Sequence, residues 1–324
     1  DAGLAWERCG EHGKARARFE QAAKLDPTFD AAQARLAVER FRGDADLDAA
    51  IDTIQRAVAA GRFENVASLV DLATLQMTRD KGRDGEEAKL NLQRALAIDD
   101  AFMPAFNRLA LWHLAQGKKK HEVQRLELAA LVCSQGIAKN ASYAPLHNTA
   151  GLVHVELAQM SSAAQEFGAA AKLDPHFFEA QMNYAAVNLS YRGFGEAEQA
   201  YRRALALRPN DYDAHLGLAL AMRGPMTGAE ADHDQRIAAI RAEIDAAKRA
   251  DPKRPDAFYN EGILAQELEA PAGSSKDRTL AALDHAESAF KTFLSMAHDD
   301  ARLGKATARA KERLADIAEM RSFL

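Results

Sequence analysis

The chain has 324 residues, 48% of them apolar and 7% aromatic, with a formal net charge of −5. That acidic balance argues against a general nucleic-acid-binding protein, which would carry a basic face. No stretch approaches roughly 18 uninterrupted apolar residues, so nothing in the chain reads as a membrane-crossing helix.

In chain order, one phrase recurs: a small residue, a large apolar residue four positions on, a small residue three further, then a helix breaker. It reads Ala15, Phe19, Ala22 and Pro27, then Ala50, Ile54, Ala57 with Arg62, and Ala88, Leu92, Ala95 with Asp100. Ala129, Cys133, Gly136 with Ala141 follow. Two clear copies come next, Ala163, Phe167, Ala170, Pro175 and Ala197, Tyr201, Ala204, Pro209. Ile240, Ile244, Ala247, Pro252 and then Ala286, Phe290, Phe293 with His298 close the series. Successive offsets are 35, 38, 41, 34, 34, 43 and 46 residues, a helical-hairpin period stretched by insertions.

The spacing has a physical cause. Positions i, i+4 and i+7 share one helix face, where small residues admit a neighbouring backbone and the large one fills the gap. Proline then stops the helix, and Asp-Pro at 26–27, 174–175 and 251–252 biases the Asp out of helical geometry. Each phrase is thus the second helix of a hairpin. First helices are expected at 102–116, 143–160, 177–191, 212–222 and 256–268, with Ala110, Gly151, Ala185, Ala219 and Gly262 where the partner helix crosses.

This pattern resembles the tetratricopeptide-repeat (TPR) family over most of the chain, although the family's first-helix Trp and Tyr are mostly missing. The resemblance implies an all-α, right-handed α-solenoid of about eight hairpins over residues 1–299. Approximate repeats are 1–28, 29–63, 64–101, 102–142, 143–176, 177–210, 211–253 and 254–299, with a capping helix over 300–324. In the cap, Ala301, Gly304, Ala308 and Lys311 read as a weak inner face, while Leu303, Ala310, Leu314, Ile317 and Met320 supply apolar contacts. Polar, Gly-rich insertions interrupt the period at 79–87, 224–235 and 270–277. They read first as solvated connectors, with Met226 at a loop tip. Gly117 reads as a helix stop, with Lys118, Lys119 and Lys120 favouring the C-terminal dipole.

Nothing in the sequence reads as chemistry. No metalloprotease, phosphate-loop or nucleophile-elbow motif occurs, and neither a cofactor nor a metal site is expected. His113, His147, His154 and His215 fall where the family carries aromatic residues, which makes them aromatic substitutes inside the stack. Cys133 stands in the aromatic position as an apolar filler, and Cys9 and Cys133 are too few and too far apart to suggest a disulfide.

The resemblance also places a partner-binding groove on the first helices. Its expected residues are Asn107, Arg108 and Leu111, then Asn148, Leu152 and Glu156, then Asn183 with Ala186. Leu216, Leu220 and Arg223 follow, and Tyr259, Asn260 and Ile263 line the last hairpin. Asn107, Asn148, Asn183 and Asn260 could grip a peptide backbone, because an amide both donates and accepts. The family's chaperone-tail clamp is absent. The implied function is a non-catalytic scaffold that holds an extended peptide or helix of another protein. The Leu-Asp-Pro endings and Ala/Arg-rich composition resemble bacterial TPR proteins, and the helix around Phe258–Leu264 with the long C-terminal cap is similar to TPR lipoproteins of myxobacterial gliding motility. A pilotin-like assembly chaperone, or the TPR part of a larger enzyme, are the alternatives. Because the chain opens at Asp1, a removed leader or lipid anchor is expected upstream. The setting then leans periplasmic and outer-membrane-associated, with cytoplasmic as the alternative.

Overall fold

A computed structural model describes residues 2–44, 46–297 and 300–324, which form helices and their connections. Ten helices make five hairpins in the first of two compact units, residues 1–173. These are α1 (Ala2–Arg8) with α2 (His12–Leu25), α3 (Asp30–Asp44) with α4 (Leu47–Ala60), and α5 (Val66–Arg79) with α6 (Asp84–Ile98). Then come α7 (Met103–Lys120) with α8 (Val123–Lys139), and α9 (Ala144–Glu156) with α10 (Met160–Leu173). The second unit, residues 174–324, pairs α11 (Phe178–Ser190) with α12 (Phe194–Leu207), and α13 (Tyr212–Arg223) with α14 (His233–Ala250). It continues through α15 (Asp256–Leu268), α16 (Lys276–Ala297), a 3-10 turn at Ala301–Leu303, and α17 (Gly304–Ser322).

The recurring phrase is the core. Its large position is buried in all eight copies: Phe19, Ile54, Leu92, Cys133, Phe167, Tyr201, Ile244 and Phe290. Burying a side chain of this size stabilises by roughly 1.5–3 kcal/mol. The small positions are buried too, except Ala22, which is half-buried. One of them, Gly136, has no room for a methyl group: a Cβ there would fall 2.5 Å from Leu146 Cδ2. The same holds for Gly262 at a first-helix crossing, where a Cβ would fall 2.7 Å from Phe290 Cε1. His298, the breaker position of the eighth copy, lies outside the described residues.

Helix ends repeat as well. The side chains of Asp26, Asp99, Asn140, Asp174 and Asp251 each accept the backbone N–H two residues on, at 2.9–3.0 Å. This local bond competes with helix continuation, so an Asp or Asn stops the helix even where no proline follows, as at Asp99 and Asn140.

Connectivity sets the layering. Within the first unit α3 touches α5, α5 touches α7, and α7 touches α9; within the second, α11 touches α13, α13 touches α15, and α15 touches α17. No comparable contact joins one second helix to another among the described residues. First helices therefore share one face in each unit, and second helices stand apart behind them.

Three expectations needed correction. Gly117 does not stop α7, which runs on to Lys120 and ends at His121 in left-handed geometry (φ 54°). Gly117 instead makes room for Leu126, whose Cδ2 would lie 2.7 Å from an added Cβ. In the cap, Leu303, Ala306, Ala310, Leu314 and Ile317 meet the core of Ile263, Phe290 and Phe293. Leu303, Ala310, Leu314 and Ile317 are the apolar contacts the sequence leads one to expect, whereas Met320 and the expected inner face of Ala301, Gly304, Ala308 and Lys311 are exposed. Finally, Met226 is no loop tip: it packs half-buried against the core containing Tyr212 and Leu216.

Candidate partner-binding face

The expected groove residues all lie on first helices, but they are unequally available. Asn148, Leu216 and Ile263 are buried, at 8%, 8% and 9% exposure. Leu111 and Leu152 are half-buried against a cluster formed by Leu114, Leu126, Ala129 and Val153. Asn183 and Leu220 are half-buried, and Ala186 is exposed. Glu156 pairs with Lys118 across to α7 at 2.6 Å.

The asparagines divide by what they already hold. Asn107 Oδ1 accepts from Thr149 Oγ1 at 2.6 Å, which ties α7 to α9. Asn260 donates to the Asp256 carbonyl of its own helix at 2.9 Å, and its Oδ1 accepts from Arg223 at 3.4 Å. Arg223 is largely desolvated, and that burial pulls its pKa below the usual guanidinium value, against the opposing pull of Glu267. Tyr259 stacks at an angle on Phe290 and Phe293, with ring centroids 5.8 and 5.1 Å away. Helix-joining thus uses part of this set.

The histidines are polar fasteners more than aromatic fillers. His147 Nε2 donates to the Ala141 carbonyl at 3.0 Å while Nδ1 meets Glu166 Oε2 at 2.7 Å. His215 repeats this with the Pro209 carbonyl at 2.9 Å and Glu243 at 2.7 Å. Between them in register, Gln181 Nε2 reaches the Pro175 carbonyl at 3.5 Å. One position of the repeat thus anchors a first helix to the turn before it. His113 does behave as an aromatic, buried edge-on to Trp112 at 4.9 Å, with burial pushing its pKa down. His154 bonds Gln159 at 2.8 Å.

The insertion after α13 is ordered by its own residues. Glu230 accepts from Thr227 N, Thr227 Oγ1 and Gly228 N at 2.6, 2.8 and 3.0 Å, which holds its pKa down at about 2. Buried His233 Nε2 then donates to the Leu268 carbonyl at 2.7 Å and pins the loop to α15.

The first unit contains a cavity of about 340 Å³ whose walls come only from first helices and their N-terminal flanks. Arg35 and Arg42 come from α3, Asp71 and Thr74 from α5, Asn107 and Arg108 from α7, and Tyr143 from the start of α9. Arg42 is occupied by Glu39 at 2.8 Å, and Arg35 lies 3.4 Å from Glu7. Arg35 Nε also approaches Asp71 Oδ2 at 3.3 Å, without the alignment of a hydrogen bond. Burial pushes the Asp71 carboxyl up to about 6 in spite of Arg35. Burial likewise raises the Tyr143 phenol, with Arg108 pulling the other way. Of this set, sequence reasoning named only Asn107 and Arg108. The register of the second and third phrases points back to α3 and α5, and following it would have reached Arg35 and Asp71.

Among the described residues no group of three or more His, Cys, Asp or Glu side chains could hold a metal ion, and no helix is long and apolar enough to cross a membrane. The chain matches no protein-family model and no curated protein. Several solved structures share its fold. A thermophilic TPR protein of Thermus thermophilus is 24% identical, over 60% of this chain and 98% of that one, with a TM-score of 0.51. PilF of Pseudomonas aeruginosa is 18% identical over 77% of this chain and 99% of its own, with a TM-score of 0.56. A chain of the APC/C hetero-tetramer Cut9–Hcn1 is 13% identical over 79% of this chain and 46% of that one, with a TM-score of 0.61. At such identities the likeness is one of fold. By fold, then, each unit is an all-α stack of helical hairpins of the kind found in tetratricopeptide-repeat proteins.

Proposed function

We propose that the chain is a non-catalytic scaffold that binds segments of other proteins along its first-helix face. The observation that carries this reading is the segregation of the helices. First helices form a shared face in each unit, and in the first unit that face encloses a cavity bearing polar groups. Such a surface suits an extended segment or a helix, whose backbone and side chains meet successive repeats. Exposed Ala186 and half-buried Asn183 extend the same kind of surface on the second unit. The likeness of the Phe258–Leu264 helix and the charged last helix to gliding-motility lipoproteins makes an envelope-bound motility assembly the setting we favour.

Photo-crosslinking tests the face directly. A benzophenone amino acid placed at Ala186 is expected to yield discrete protein adducts in cells, identified by mass spectrometry. The same probe at Arg203, exposed on the second helix α12, should yield few. Equal adduct patterns at the two sites would remove the first-helix face as the binding surface.

A further inference from the structure

We propose that the first-unit cavity takes a carboxylate, supplied by an Asp or Glu side chain within an acidic partner segment. This rests on the binding face proposed above and assigns it a chemistry. Three donor groups line the cavity without a hydrogen-bond acceptor. Arg108 makes no hydrogen bond or close ion pair among the described residues, its charge reaching Asp71 only across the cavity, although most arginines of the first-helix layer are paired. Asn107 spends its Oδ1 on Thr149, which fixes the amide and leaves Nδ2 uncommitted. The Tyr143 hydroxyl has no partner among the described residues either, and sits near enough to Arg108 to feel its charge.

These three groups come from two first helices that Thr149 and Asn107 hold together, so their arrangement is built into the packing. A guanidinium, an amide N–H and a phenol O–H are all donors, and a carboxylate offers about four acceptor sites. Hydrogen bonds to an ionised group are short and about twice as strong as neutral ones, and guanidinium geometry matches a carboxylate. A basic segment is disfavoured, because Arg35, Arg42 and Arg108 all face the space and Asp71 is already approached by Arg35. The chain as a whole is net acidic, and with Arg35 and Arg42 paired to carboxylates, the guanidinium of Arg108 is what would distinguish this stretch of the face from its surroundings.

The test uses the full chain and two rhodamine-labelled, C-terminally amidated peptides, one of alternating Glu and Ala and one of alternating Gln and Ala. Fluorescence anisotropy at low salt reads their affinities. The Glu peptide is expected to bind about tenfold more tightly, equivalent to about 1.4 kcal/mol. R108Q and Y143F should each shrink that ratio, R108Q to near unity, while R203Q on α12 leaves it unchanged. Circular dichroism melts confirm that each variant is folded. Equal binding of both peptides overturns the carboxylate assignment and leaves the first-helix face standing as a binding surface. A Glu preference that survives R108Q also overturns it, by locating the preference elsewhere. If a Gln peptide with a free C-terminal carboxylate binds as tightly as the amidated Glu peptide, the end of a chain is the ligand and the side-chain assignment falls. Failure of both peptides to bind overturns the assignment and counts against the face as well.

Discussion

The Phe167 ring lies directly over the Cα of Gly151, so close that a methyl group there would fall 2.5 Å from two ring carbons. Gly151 is the mid-helix small residue of α9, and Phe167 is the large residue of the α10 phrase. Gly151→Ala must therefore displace a buried ring, and it should destabilise the first unit by about 1–3 kcal/mol. Gly13→Ala, in α2 with nothing within 4 Å of the new methyl, should be neutral or add a few tenths of a kcal/mol. Urea unfolding of the two variants checks the contrast. A neutral Gly151→Ala would mean that the hairpin can widen at this crossing.

His285 gives the second unit a pH dependence. Its ring is shared between Glu261 at 3.2 Å and Glu269 at 2.9 Å, and these carboxylates raise its pKa to about 9. Lys248 and Arg241 also hold those carboxylates, at 2.6 Å each. A raised histidine stabilises fully below its unfolded value near 6.5, and the contribution is lost as pH climbs through 9. Thermal melts of the chain should accordingly fall between pH 6.5 and 9, and His285→Gln should flatten that part of the curve. An identical slope in both proteins would refute the assignment.

Packing was legible in the sequence to the extent that it repeats. The phrase located Cys133 and Ile240 in the core because its spacing is the spacing of the buried face, whatever residue fills it. His147 was read as a filler for the same reason, since its partner is a backbone carbonyl, Ala141, which no residue pattern reveals. In α17 the apolar contacts Ala310, Leu314 and Ile317 were legible, but the small-residue face of Gly304, Ala308 and Lys311 was misplaced, because a mostly charged helix offers several faces and only the position of Phe290 and Phe293 selects one. The cavity was the hardest part to see. Asp71, Arg108 and Tyr143 lie on three hairpins, and α3 and α5 precede weak copies of the phrase, so nothing local links them.

Thiol reactivity should separate the two cysteines. Cys133 is 1% exposed, and burial, with Glu166 adding to it, pushes its thiol up to about 12. Cys9 is exposed. A thiol that is both inaccessible and protonated is a poor nucleophile. Brief iodoacetamide treatment of the native chain should modify Cys9 alone, and Cys9→Ser should abolish labelling until denaturant is added. Rapid labelling of Cys133 in the native state would show that the α7–α8–α9 core opens readily.

Asp71 links stability to the cavity. Its carboxyl is raised to about 6 in the folded chain from an ordinary value of 3.8, chiefly by burial. The folded state therefore binds more protons between those values, and stability falls as pH rises from 3.8 to 6. Above pH 6 the ionised group is a standing cost. Asp71→Asn removes it, and should stabilise the chain at pH 8 by roughly 1 kcal/mol, a gain limited because Arg35 loses its neutralising neighbour. At pH 4 the gain should shrink. The same substitution removes the only carboxylate among the described cavity walls, so the alternating Glu and Ala peptide should bind several-fold more tightly at pH 8. Tighter binding without added stability would leave the charge assignment intact and contradict the burial cost. Neither change would mean that Asp71 is already screened by Arg35 in the folded chain.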